Sequence, residues 1–174
     1  MAPHSRAILV ASLALISAVT FGQGDTPPVV KLSVDTPIVA ASKPFKATLT
    51  VTFGSGLHAY QNPQSDPSYI PVAVTSGDKV FKIVAVNYPK GTPTTIAGEK
   101  TPINVYTGTI KIPITLQAPA KFGRMPLKVA FAYQQCNDSS CFPPSSITAL
   151  GTVTVSPKAG KSVSPTSKSS QTNR

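Results

Sequence analysis

From Phe45 to Phe53 the chain alternates apolar Ala47, Leu49, Val51 and Phe53 with polar Lys46, Thr48, Thr50 and Thr52. A period of two predicts a half-buried β-strand. Comparable runs at Val29–Val34, Leu57–Tyr60, Ile70–Val74, Val80–Val86, Tyr106–Leu116, Leu127–Gln135 and Ile147–Val155 predict further strands, and no stretch carries a helical period. Gly54-Ser55-Gly56 reads as a turn, Asn62-Pro63 ends the run that starts at Leu57, and Ser76-Gly77-Asp78 reads as a hairpin connection. Pro113 inside Tyr106–Leu116 predicts an edge strand or a bulge, because proline has no ladder donor. Asn87–Ile103 shows no apolar period and reads as a long loop, the kind that tends to carry function.

Short strands at this spacing, with 18 prolines between and around them, predict an all-β fold: an immunoglobulin-like antiparallel β-sandwich. Antibody hallmarks are missing. Tryptophan is absent, and the two cysteines sit on one connection, so they cannot bridge the two sheets.

The flanks do not fit a core. Residues 1–22 combine Arg6, an apolar run from Ala7 to Phe21 interrupted by Ser12 and Ser17, and a cut site after Gly22, which predicts a secretory signal peptide rather than a membrane anchor. Residues 23–28 form a short leader, 29–155 the single domain, and 156–174 a Ser/Lys/Pro-rich tail expected to be disordered. The protein is therefore expected outside the cytoplasm, periplasmic or extracellular.

The formal charge is +10, but Arg6 goes with the leader and Lys158, Lys161, Lys168 and Arg174 lie in the last stretch. Between Gln23 and Ser156, eleven Lys and Arg face six Asp and Glu without clustering. That argues against a nucleic-acid surface and leaves at most a weak envelope contact through the basic tail.

Candidate chemistry converges on Tyr133-Gln134-Gln135-Cys136-Asn137-Asp138-Ser139-Ser140-Cys141-Phe142-Pro143-Pro144, which holds the only two cysteines, four residues apart. A bridge closing so short a loop is worth roughly 2 kcal/mol in the chain-entropy model, less than one spanning a long loop. The residues leave two readings open: a staple of a secreted domain, or an accessible, exchange-prone pair. His58 is the only histidine after the leader, so a serine-hydrolase triad is hard to assemble, and no Gly-x-Ser-x-Gly elbow occurs. Cys136, Cys141 and His58 fall short of a four-ligand zinc site; among metals, Cu(I) suits two thiolates and an imidazole better. His58 and Tyr60, two apart on a strand, share a face. Asp138 reads as a turn residue whose carboxylate would disfavour a neighbouring thiolate.

With Gly56-Leu57-His58-Ala59-Tyr60, Tyr88-Pro89 and Tyr106-Thr107-Gly108 in the same order, the cysteine segment resembles the periplasmic N-terminal domain of the thiol:disulfide interchange protein DsbD, over about Val29 to Val155. The resemblance implies an immunoglobulin-like domain that accepts reducing equivalents from a membrane-embedded dithiol and passes them to oxidised extracytoplasmic thioredoxin-like proteins. Its cofactor is the cysteine pair alone; no metal or other cofactor is expected. The family assigns the attacking sulfur to the position of Cys141 and the resolving one to Cys136. It also sets aromatic residues at the positions of His58 and Tyr60 beside the pair.

Tyr133 leads into the loop, and Phe142 with Pro143 offers a rigid apolar platform next to Cys141. Cys136, directly after a strand, is expected to be held more deeply. Family members cover the thiols with a loop bearing an aromatic residue before a glycine; the matching stretch here is Thr94-Thr95-Ile96-Ala97-Gly98, which places Ile96 at the cap. The family usually carries this domain fused to a membrane domain and a thioredoxin-like domain; here a Ser/Lys tail follows instead, so the donor is expected to be a separate protein. The alternatives are a non-catalytic immunoglobulin-like binding module with a structural disulfide and a copper-handling protein.

Overall fold

The computed structural model describes residues 26–96 and 100–160; the expected signal peptide and cut site, Ala97–Glu99 of the expected cap, and the tail from 161 onward lie outside them. Among the described residues there are strands and no helix. Three four-stranded sheets form. The first runs β1 (Val29–Val34), β3 (Pro44–Thr52), β9 (Thr109–Gln117), β6 (Lys82–Val86). The second runs β2 (Ile38–Ala40), β12 (Ser145–Ser156), β10 (Gly123–Tyr133), β5 (Ala73–Ser76), and the third β11 (Gln135–Cys136), β4 (His58–Tyr60), β8 (Ile103–Tyr106), β7 (Thr92–Thr94). All pairings are antiparallel except β2 with β12. This is an immunoglobulin-like β-sandwich with a small third sheet at one end.

The alternation read in the sequence builds the sandwich core. Ala47, Leu49 and Val51 of β3 and Ile112, Ile114 and Leu116 of β9 face Leu127, Val129 and Phe131 of β10 and Ala149, Val153 and Val155 of β12, all buried. The sheets approach so closely at β1 and β12 that a Cβ at Gly151 would meet Leu32 Cδ2 at 3.3 Å.

Several expectations are corrected. Pro113 lies on an interior strand, β9, paired with Thr48 of β3 on one side. Its carbonyl accepts from Asn87 N at 2.9 Å, so its backbone polar groups face the β6 side just where β6 ends, and no β3 ladder bond is lost. A register shift does occur nearby, but in β6 between Ile83 and Ala85. Ser76-Gly77-Asp78 is not a hairpin turn, because β5 and β6 belong to different sheets.

The run from Tyr106 to Leu116 is two strands. Gly108 sits at φ +57°, in the left-handed region that glycine occupies without penalty, and hands the chain from β8 in the third sheet to β9 in the first. The stretch 87–103 is not structureless: β7 pairs with β8 through Thr92↔Val105 and Thr94↔Ile103. Gly91 enters it too close to Val105 O, 2.9 Å from where a Cβ would stand, for any other residue to fit without movement.

The third sheet explains where the site is. The chain leaves β3 and enters β4, leaves β8 and enters β9, and leaves β10 and enters β11, so both sandwich sheets feed strands into it. Two tyrosines fasten it. The Tyr106 hydroxyl donates to Pro89 O at 2.6 Å, and Val74 N donates to the Tyr88 hydroxyl at 2.9 Å. Burial raises the Tyr106 pKa.

Candidate functional site: a disulfide hairpin under a small apolar roof

Cys136 ends β11 and Cys141 returns opposite it as an antiparallel bridge, with Cα atoms 4.0 Å apart and the sulfurs bonded. The turn between them is built by Asn137. Its Oδ1 accepts from Ser139 N at 2.9 Å and Ser140 N at 2.8 Å, while Asn137 N donates to Ser140 O at 2.9 Å. An Asx turn of this kind is what short polar residues supply. Below the bridge, Phe142 N donates to Gln135 O at 2.8 Å and Gln134 Nε2 to Phe142 O at 3.2 Å. The hairpin is thus held at both ends by backbone geometry.

The two sulfurs differ in environment. Cys136 is 1% exposed and belongs to a second small core with Tyr60, Ile103 and Val105, against which Tyr69 and Ile96 pack; Cys141 is exposed. On β4, His58 pairs directly with Cys136, so the two side chains share a sheet face. His58 and Tyr60 rings meet edge to face at 6.0 Å, and the Tyr60 hydroxyl lies 3.8 Å from Cys141 Sγ. A cleft of about 320 Å³ is lined by His58, Tyr60, Ile96, Cys136 and the Asn137–Cys141 turn.

His58 is 6% exposed, and its Nε2 is buried without a hydrogen-bond partner. Burial pulls its pKa below the ordinary 6.5, opposed by the Asp138 carboxylate. Asp138, read as a turn residue, therefore also acts electrostatically on the site. Among the described residues no group of three or more His, Cys, Asp or Glu is placed to hold a metal ion.

Of the residues singled out in the sequence, the structure gathers Cys136, Cys141, His58, Tyr60 and Ile96 around one cleft. Tyr133 and Phe142 are elsewhere. They line a separate groove of about 330 Å³ with Pro27, Gln135 and Pro143, and Tyr133 stacks on Phe131 at 5.7 Å as part of the sandwich core. Sequence reasoning missed Tyr69, whose ring stacks on Tyr60 at 4.3 Å. The stretch that delivers it is shaped by Asp66 Oδ1, which accepts from Ser68 N and Oγ, and by Asn62 Nδ2 donating to Val72 O. It also missed Gln135, buried, with Nε2 donating to Thr26 O at 3.0 Å. The Ser-Asp-Pro-Ser turn signal was readable; the stack it creates was not.

No curated protein sequence matches the chain. Among solved structures, the Neisseria meningitidis DsbD N-terminal domain in the reduced form shares 16% identity over 73% of this chain and 89% of that chain, with a TM-score of 0.47. The N-terminal periplasmic domain of ScsB from Proteus mirabilis shares 14% identity over 70% of this chain and 44% of that chain, with a TM-score of 0.52, a likeness of fold. The family model of the thiol:disulfide interchange protein DsbD, N-terminal, matches residues 28–152, which include every strand of the third sheet and both cysteines. A disulfide hairpin on an immunoglobulin-like sandwich, within a match of that extent, establishes that the chain belongs to the DsbD N-terminal family of thiol-disulfide exchange domains.

Proposed function

We propose that this domain is an extracytoplasmic carrier of reducing equivalents. It takes them from a membrane-embedded dithiol and delivers them to oxidised exported thioredoxin-like proteins through Cys136 and Cys141. The observation that carries the reading is the asymmetry across one bond: Cys141 exposed and Cys136 1% exposed beneath an apolar roof. A staple needs no such asymmetry; a two-step exchange does.

In the loading direction a donor thiolate attacks Cys141 Sγ, the Cys136–Cys141 bond breaks, and its electron pair leaves on Cys136 Sγ, which takes up a proton. The donor's second thiolate then attacks its own sulfur of the mixed disulfide, so the donor is oxidised and Cys141 is released reduced. In delivery, the Cys141 thiolate attacks the acceptor's disulfide and displaces one acceptor thiolate. Cys136 then attacks Cys141 Sγ, reforming the bond and releasing the second acceptor thiol.

Single-cysteine variants test this. Cys136→Ala, presented to an oxidised exported thioredoxin-like protein, should accumulate a mixed disulfide through Cys141, and Cys141→Ala should accumulate little. Adduct on Cys141→Ala instead would reverse the roles. If neither variant is trapped, and the pair's potential lies below about −300 mV as for inert bridges, the disulfide is a staple on a binding module.

A further inference from the structure

The reduced state of this protein has a partner waiting that the oxidised state does not use. In the disulfide form His58 Nε2 is buried and makes no hydrogen bond, an arrangement that ordinarily costs free energy. The residue directly across the sheet from His58 is Cys136, on the same face. As a disulfide sulfur, Cys136 offers neither a proton nor a charge. Once reduced, it offers an S–H or a thiolate at that place.

We propose that His58, backed by Asp138, is the acid–base partner of Cys136 in the resolving step. This rests on the exchange reading above. When Cys136 attacks the mixed disulfide, its S–H proton passes to His58 Nε2. The thiolate electron pair forms the new bond to Cys141 Sγ, and the acceptor's sulfur leaves with the other pair. The imidazolium then returns its proton to the departing thiolate or to water in the cleft. During loading the same proton travels the opposite way, from imidazolium to the Cys136 thiolate.

The surroundings suit that task. His58 and Asp138 together line a cavity of about 240 Å³ closed by Thr94, Thr95 and Ile96. The groups facing His58 are Tyr60 on its own strand, Cys136, Asp138 and Cys141 on the hairpin, uncharged Thr94 at the end of β7 with Thr95 and Ile96 after it, and Val105 of β8 with Thr107 just beyond it. Among the described residues Asp138 is thus the single charge acting on the ring. Burial keeps the imidazole neutral at pH 7, the form able to accept a proton, while Asp138 stabilises the imidazolium once formed.

The test uses the reduced protein and dithiobis(nitrobenzoate), whose coloured thiolate is released twice. The first release, by Cys141, depends on reagent concentration. The second, by Cys136 resolving the adduct, is unimolecular. In the wild type the second rate should rise with pH through a midpoint below 6.5, the ordinary histidine value, and then level off. His58→Gln should slow it at least about tenfold at pH 7, with recovery only toward the pH at which a thiol ionises on its own, since positioned general bases contribute about 10²-fold or more. Asp138→Asn should lower the midpoint further.

Thermal unfolding of each oxidised variant checks the fold. A second rate in His58→Gln within about twofold of wild type across the pH range, or a wild-type profile with no midpoint below the thiol range, overturns the proposal. A wild type that shows no second release at all instead defeats the carrier reading itself.

Discussion

The Tyr60 hydroxyl lies 3.8 Å from Cys141 Sγ, beside the exposed one of the two sulfurs. After reduction that hydroxyl can donate to the Cys141 thiolate and favour the charged form. Tyr60→Phe should therefore slow attack by Cys141 on a small disulfide at pH 7 by about tenfold, the rate equivalent of a hydrogen bond to a charged group worth about 1.5 kcal/mol. Stopped-flow measurement of the concentration-dependent phase reads this directly, and an unchanged rate would show that the contact serves packing alone.

Ile96 packs against the cluster that contains Cys136 and lines the cleft over the bridge. Ile96→Ala removes the apolar part of that cover while leaving the strands in place. Thiol loss from the reduced protein in oxidised glutathione should accelerate several-fold. Equal half-lives for variant and wild type would deny Ile96 any protective role.

His58 also links stability to pH. Burial lowers its folded pKa from the ordinary 6.5, so the unfolded chain binds the proton more readily. Stability from this residue is full above pH 6.5 and falls as pH drops toward the folded value, levelling off below it. Between pH 7.5 and 5, the wild type should lose more in Tm than His58→Gln. Parallel losses would assign the acid sensitivity to other groups.

Packing sets the scale of the remaining stability. Phe131 is fully buried between the sheets, whereas Leu150, one strand away on β12, is 69% exposed. Phe131→Ala should cost about 3–5 kcal/mol in denaturant unfolding, and Leu150→Ala should stay within about 0.5 kcal/mol. Comparable losses at the two sites would mean the sandwich core is wrongly drawn.

Much of this protein follows from local pattern. Alternation at Ala47–Val51 and Leu127–Phe131 specifies strands with one buried face wherever those strands pair, so the all-β sandwich was legible without knowing the partners. The cysteine loop was legible too, because Asn137 and Pro143-Pro144 are turn and stop chemistry whatever surrounds them.

The environment of Cys136 was not legible in the same way. Its depth was expected from its place directly after a strand, and it is buried; strict alternation through Leu127, Val129, Phe131, Tyr133 and a buried Gln135 would instead turn it outward, so its covering comes from elsewhere. Only the third sheet decides this. Strands fed from both sandwich layers set His58 beside Cys136 and Tyr60 beneath Cys141, two separate loops bring Tyr69 and Ile96 over that same face, and Ala59 between them faces the sandwich core. Period-two reasoning describes one sheet with one covered face, and it cannot anticipate a short strand covered on both. The chemistry of the site, one sheltered sulfur next to an imidazole whose Nε2 makes no hydrogen bond, arises from that second covering, which unites residues more than seventy positions apart.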